Sequence, residues 1–541
     1  MSETSLYQTK QQLKDLLCDL VEVPSVTGTA AEVEMAECIV DKLSQLRYFK
    51  HHSELVQMHT TGDGRSIVTA LAKSGHATKT VILINHYDVV DVQDYGMWKD
   101  DAFHPAELTK AFYHEKNGLP LQVKEEINKG EWLFGRGTMD MKAGIALHIS
   151  MLERASKGEF DGNVLFLSVP DEEVSSVGMR RAVPVLLQLA NEHKLEYSLM
   201  LNAEPVFSRY PGDQANYVYT GSIGKMMPSF YCYGKETHVG EPFSGLNANL
   251  MVSYLTSALE LNTQFCEVVG HEVSPPPTVL FQKDLKEEYS VQVPNRAVSL
   301  FNLFLFERSP KEVIDLVRDA ANRAGNQIEK YYQKRIHEFG KLANAAEREM
   351  KVTVWTYDEL VRYAVERYGK ERVEAIQESE LEKEGGDERT ATVKLVDQLA
   401  CLCKEKAPFI VLYLSPPFYP AVSSQQHKLV RRIVQAVQKE AEEKYGVELV
   451  EQAYFGGISD LSYAGLQHPL ETFLPLTENM PLWGRGYELP LRELSILQVP
   501  VLNLGPVGRD AHQWTERLEV HYSFKELPTL IHKAIEIALS P

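Results

Sequence analysis

Acids and imidazoles recur in this chain at the ends of apolar, strand-like runs. Residues 80–84 lead into NHYDVVD, so His86 and Asp88 stand two apart and point the same way in an extended segment. A metal-bound imidazole commonly gives its other N–H to a carboxylate, a role open to Asp88. Residues 131–134 (EWLF) lead through GRGTMDMKAG into an apolar run of helical spacing, with Asp140 at the turn. The run 163–169 ends in PDEEVSSVG, which sets Asp171, Glu172 and Glu173 side by side. Residues 197–201 end in NAEP and deliver Glu204. Near the other end of the chain, VLNL (501–504) opens into GPVGRDAHQWTERLEV. There His512 and Glu516 are four apart and share a face if the segment is helical.

Each of these has a bland reading. Asp140 could cap the next helix, the three acids could form an exposed turn, and His86 could be a solvated strand end. Taken together, four successive strand ends deliver His86, Asp140, Glu172–Glu173 and Glu204. Open α/β sheets build their sites at the carboxyl ends of parallel strands. Clustered acids there are costly unless solvated or neutralised by cations. Nitrogen and carboxylate ligands suit zinc, manganese or cobalt better than calcium or an iron–sulfur cluster.

The elements that would position these groups follow from periodicity. Apolar positions at Leu13, Leu16, Leu17, Leu20 and Val21 predict a first helix, stopped by Pro24. A second helix is expected at 30–46, and strands at 66–71 and 80–84. Residues 98–129 read as a long surface excursion. After Gly221 the composition changes to a strand, a loop with His238, a helix from about 246, strands at 278–282 and 297–306, and a helix at 310–338. Residues 341–406 are charged and read as a helical elaboration broken at GGDE (385–388). The run FIVLY (409–413) is expected to close this second module. Helices follow at 426–445 and 525–539, with a glycine-rich turn carrying Asp460 between them.

A chain of 541 residues is too long for one hydrophobic core, so two or more domains are expected. The formal charge is 56 − 75 = −19, which argues against a nucleic-acid partner. Six cysteines are too sparse for a disulfide framework, and the CxC pair Cys401 and Cys403 reads as structural thiols in a helix. With no signal-like leader and no long apolar window, the chain reads as cytoplasmic, with no membrane span.

The ordered set HYDVV, GRGTMDMKAG, DEE, NAEP, THVGEPFSGLNA, GGISD and GPVGRDAHQWTE resembles the M20 family of co-catalytic metallopeptidases and deacylases, and within it an arginine-utilisation, RocB-like subgroup. The resemblance implies an α/β, zinc-peptidase-like catalytic domain with a mostly parallel mixed sheet, built from 1–215 and 416–541. It implies a βαββαβ-type lid at 216–415, with the insertion 341–406. It also implies two divalent cations, zinc first, with cobalt or manganese as alternatives. Asp140 would bridge them, and His86, Glu204, Glu173 and His512 would complete the two coordination spheres. Glu172 would be the general base, Asp88 would orient His86, and His238 on the lid would approach the oxyanion. Asn247, Gly457 and Asp460 fall in the motifs expected to contact substrate. A cis peptide is expected at Asp140–Met141.

The implied reaction is hydrolysis of an amide in a small N-acyl amino acid or short peptide, in amino-acid catabolism. A catalytically inactive metal-binding sensor or partner protein is the alternative, and a structural calcium site or plain acidic surface the third reading. Lid-mediated homodimers and monomers both carry these motifs. One departure stands out. Where relatives that bind a substrate carboxylate often carry an asparagine and an arginine, this chain has the apolar Val291 and Phe304. A bidentate guanidinium has no apolar substitute.

Overall fold

The computed structural model describes residues 5–207, 213, 215–343, 348–379 and 387–540. The chain divides into two compact units. The first comprises Met1–Ile223, Ala421–Gln467 and Pro490–Pro541; the second comprises Gly224–Pro420 and His468–Leu489. The segment His468–Leu489 thus clusters with the second unit, although it falls within the 416–541 stretch expected for the catalytic part.

The first unit is built on an eight-stranded mixed sheet. Its central strand, Lys79–His86, lies between Asn163–Val169 and Glu196–Asn202, parallel to both. Val501–Asn503 adds in parallel beside Glu196–Asn202, while Ser66–Ala72 and Val56–Thr60 form an antiparallel flank. Every residue from Thr80 to His86 is buried, which requires cover on both faces of the sheet. Lys142–Ser156, Val177–His193 and Leu527–Leu539 are among the helices that pack against these strands. Register brings the strand ends level: His86 pairs with Val169, Ile84 with Asn202, and Asn202 with Asn503. Those ends and the loops leaving them carry His86, Glu172, Glu173, Glu204 and His512. Asp140, expected at a fourth such strand end, instead follows Trp132–Phe134, a short strand of a separate antiparallel three-stranded sheet.

The stretch 98–129 is more than a surface excursion. It forms the helices Pro105–His114 and Leu121–Ile127. Leu108, Phe112, Val123 and Ile127 bury a small separate core with Trp132 and Phe134. The apolar pairs at i, i+4 in both helices are the physical reason.

In the second unit a five-stranded sheet runs in the order Thr278–Asp284, Arg296–Leu305, Gly224–Tyr233, Phe409–Tyr419, Thr353–Thr356. The helices Ala248–Leu259 and Pro310–Ala343 complete a βαββαβ pattern. The strand expected at 409–413 is longer and internal. The edge is Thr353–Thr356, a β-branched and aromatic TVWT run inside the stretch read as helical, and it pairs in parallel with Phe409–Leu412. Helices Tyr357–Tyr368, Lys370–Ser379 and Glu388–Leu402 follow it; Gly385 and Gly386 of the expected GGDE break lie outside the described residues, and Asp387 caps the last of these helices. All six cysteines are free. No helix among the described residues is long and apolar enough to cross a membrane.

One glycine marks how tightly the strand ends approach. A Cβ on Gly505 would lie 1.8 Å from the carbonyl oxygen of Glu204, a backbone atom that cannot rotate away. Gly505→Ala is expected to cost about 1–3 kcal/mol of stability through overpacking, read as a lowered denaturant midpoint with an unchanged m-value.

Candidate metal centre

Asp140 occupies the turn between Trp132–Phe134 and the helix Lys142–Ser156, and its peptide bond to Met141 is cis. Its carboxylate faces two imidazoles. Oδ1 lies 3.4 Å from His86 Nε2, and Oδ2 lies 3.3 Å from His512 Nε2. Glu204 Oε1 stands 3.5 Å from His86 Nε2, and Glu173 Oε1 stands 3.1 Å from His512 Nε2. Two sets of ligating atoms therefore share Asp140: His86, Asp140 and Glu204 on one side, and Asp140, Glu173 and His512 on the other. His86 also converges with Glu172 and Glu173, its Nε2 lying 3.9 Å from Glu172 Oε2. His86, Asp140 and Glu204 are buried, whereas His512 is half-exposed.

The His86 ring is fixed from behind. Its Nδ1 meets the backbone carbonyl of Asp88 at 3.0 Å, with the Asp88 carboxylate farther off at 3.6 Å. That carboxylate accepts instead from the backbone N–H groups of Glu172 at 3.0 Å and Glu173 at 3.2 Å, and from the Thr27 hydroxyl at 2.8 Å. Asp88 thus grips the loop bearing the adjacent acids as much as it orients the imidazole.

His512 and Glu516 do not lie on a helix. The chain passes through consecutive turns, with Asp510 and His512 at φ of 60° and 61°. Their side chains part company: His512 reaches Asp140 and Glu173, while Glu516 meets Arg136. Asp460 is buried close to the same cluster, and among the described residues neither of its carboxylate oxygens has a hydrogen-bond partner. Gly457 sits in the partly exposed turn before it. The remaining sequence candidates belong to the second unit. His238 is exposed there, its Nδ1 accepting from the Gly240 N–H at 3.1 Å. Asn247 caps the helix Ala248–Leu259 by accepting from the Asn249 N–H at 2.9 Å. Val291 is exposed and Phe304 half-buried.

Electrostatics show how much negative charge is packed here. Burial opposes a charge on His86, yet Glu204, Asp140, Asp88 and Glu172 raise its pKa well above the ordinary imidazole value. Hydrogen bonds to Asp140 and Glu173 push His512 up to about 11. Burial, joined by Asp460, Glu173 and Glu204, raises Glu172 well above a normal carboxyl, and burial pushes Asp460 up to about 7. The upward pull on both imidazoles reflects a carboxylate cluster that divalent cations would balance. Glu204 Oε1, buried without a hydrogen-bond partner, and the imidazole–carboxylate donor set both fit such cations.

Behind the ligands lies a second tier of residues, of which only Asp171 stands out in the sequence. Arg65 pairs with Glu32 at 3.0 Å and Asp171 at 2.8 Å, both buried. Asp171 in turn accepts from the Val177 N–H at 3.0 Å and holds the turn containing Glu172 and Glu173. Lys142, fully buried, donates to the carbonyls of Leu20 and Val23 at 3.1 and 2.7 Å, and burial pulls it down to about 7. A charged residue inside an otherwise apolar or glycine-rich run was the available signal for Lys142 and Arg136.

The model of peptidase family M20/M25/M40 matches residues 82–479. The chain belongs to that family. Its members are metal-dependent peptidases and amidohydrolases, and this protein is an enzyme of that kind. It is 48% identical to protein YqjN of Bacillus subtilis over 535 residues, 98% of this chain and 97% of that one. It is 30% identical to protein RocB of the same organism over 535 residues, 97% of this chain and 94% of RocB. A probable succinyl-diaminopimelate desuccinylase of Staphylococcus epidermidis is 28% identical over 261 residues, 48% of this chain and 52% of that one. Among solved structures, the M20 metallo-carboxypeptidase Sso-CP2 of Sulfolobus solfataricus shares the fold, with a TM-score of 0.56 at 14% identity, covering 98% of this chain and 99% of that chain.

Removing Arg65 leaves two buried carboxylates without their cation. Arg65→Met is expected to destabilise the protein by about 3 kcal/mol at pH 8. The deficit should narrow near pH 5, because burial has pushed Glu32 up to about 7 and it is then protonated with or without Arg65. Urea unfolding of both proteins at the two pH values checks the sign.

Proposed function

We propose that this enzyme hydrolyses an amide bond of a small N-acyl amino acid or short peptide, in amino-acid catabolism, using two divalent cations with zinc foremost. The observation that carries the reading is that Asp140 offers one carboxylate oxygen to each of two imidazoles. His86 and Glu204 would hold one cation with Asp140, and Glu173 and His512 the other. When bound, such a pair supplies Lewis acidity that polarises a carbonyl oxygen and lowers the pKa of a water.

Glu172 is the assigned general base. It lies beside the ligand set without being needed in either sphere, and burial raises it above an ordinary carboxyl, the direction that favours holding a proton between taking and returning it. Its carboxylate takes a proton from the attacking water and returns it to the leaving amine. Asp88 sets this up by holding the Glu172 and Glu173 amides while its carbonyl fixes His86. Asp460, with its unpartnered buried carboxylate at the same cluster, is the assigned contact for a substrate polar group. The partial likeness to a probable succinyl-diaminopimelate desuccinylase supports a small acylated amino-acid derivative as substrate, and the apolar Val291 and Phe304 argue against a guanidinium clamp for its carboxylate.

Glu172→Gln should lower kcat/KM by at least about 100-fold with zinc content unchanged. A variant that keeps full metal-dependent hydrolysis would remove this residue from the role. Profiling the zinc-loaded enzyme over N-acyl amino acids and dipeptides tests the reaction class, and turnover of none of them would favour a non-catalytic, metal-binding sensor. Zinc affinity should rise from pH 6 to pH 8, since His86 and His512 must lose their protons to become ligands. Competition against a chromogenic chelator measures it.

A further inference from the structure

Glu516 is completely buried and reaches three partners across the turn that carries Asp140. One carboxylate oxygen accepts from Arg136 Nη1 at 2.6 Å. The other accepts from the backbone N–H of Gly137 at 2.7 Å and from that of Met139 at 3.4 Å. Its own carbonyl accepts from the Gly135 N–H at 3.2 Å. Arg136 is equally buried and is saturated elsewhere. It donates to Asp94 Oδ1 at 2.8 Å and to the Asp91 carbonyl at 3.2 Å, and its guanidinium sits 5.2 Å from the Tyr95 ring.

This carboxylate touches no ligating atom, yet it ties together the two loops that meet at one cation subsite. Asp140 lies three residues beyond Gly137, and His512 lies four before Glu516. Gly137 is at φ +79°, and a Cβ there would come within 2.9 Å of Val89, so the Asp140 turn has no slack on that side. At the other end of the His512 loop, Arg517 pairs with Asp510 and donates to the Thr515 carbonyl at 2.9 Å. A buried ion pair contributes little to stability compared with apolar packing of the same volume. Directed hydrogen bonds to two amides of a ligand-bearing turn are instead the means by which outer residues set metal affinity.

We propose that Glu516, oriented by Arg136, is a positioning residue that fixes Asp140 and His512 relative to each other and so sets the affinity of the cation subsite they share with Glu173. The inference rests on the two-cation reading above.

The test is zinc titration of the full-length protein against a competing chelator, with His512→Ala marking which of two equivalents belongs to that subsite. Glu516→Gln should weaken the marked equivalent about 10–100-fold and weaken the other, which shares only Asp140 with it, markedly less. Unchanged affinity for both equivalents in a folded Glu516→Gln protein would overturn the proposal. So would an equal loss of both, which is what general loosening gives. Should Glu516→Gln not fold, Arg136→Lys retains Glu516 and its amide contacts while losing the guanidinium fork. It should weaken the marked equivalent selectively by several-fold, and a wild-type affinity there overturns the assignment. Wild-type protein that binds fewer than two zinc ions would instead overturn the two-cation reading itself, and this inference with it.

Discussion

The dominant physical constraint in this protein is a concentration of carboxylates withdrawn from water. Asp88, Asp140, Glu172, Glu204 and Asp460 are buried around one imidazole, with Glu173 beside them. Like charges in a poorly solvated space must be protonated, paired or bridged by cations. The upward shifts on His86 and His512 express that demand. The surrounding structure keeps these groups together against their mutual repulsion.

Two devices do this. One is the sheet, whose parallel strands Lys79–His86, Asn163–Val169, Glu196–Asn202 and Val501–Asn503 end at the same level and release their loops to one side. The other is a pair of buried ion-paired networks. Arg65 with Glu32 and Asp171 sets the loop of Glu172 and Glu173, and Arg136 with Glu516 sets the turn of Asp140. The sheet brings the loops near one another; the networks decide where their carboxylates point.

Much of this arrangement is legible in the residues themselves. Apolar runs of the right length end in a histidine or acid four times over, and that pattern marks strand, strand end and candidate ligand at once. The resemblance carried by the motifs then covers the fold class and the family. The networks were not legible. Arg136 and Glu516 are 380 residues apart, and Glu32 and Asp171 are 139 apart. Local periodicity carries no information about partners at that range. The spacing of His512 and Glu516 suggested a helical face, but positive φ at Asp510 and His512 breaks the helix and sends the two side chains to different tasks. Charge content hid the strand Thr353–Thr356, and length hid the small core of 98–129.

Asp140 meets His86 from the early part of the chain and His512 from the late part. During synthesis, the first half of this cluster leaves the ribosome several hundred residues before its second imidazole exists. Its acids must spend that interval hydrated or protonated, because the turn that organises them is also waiting for Glu516. The constellation is therefore completed late in translation, and a nascent chain stopped before that point would carry the acids without the geometry that unites them.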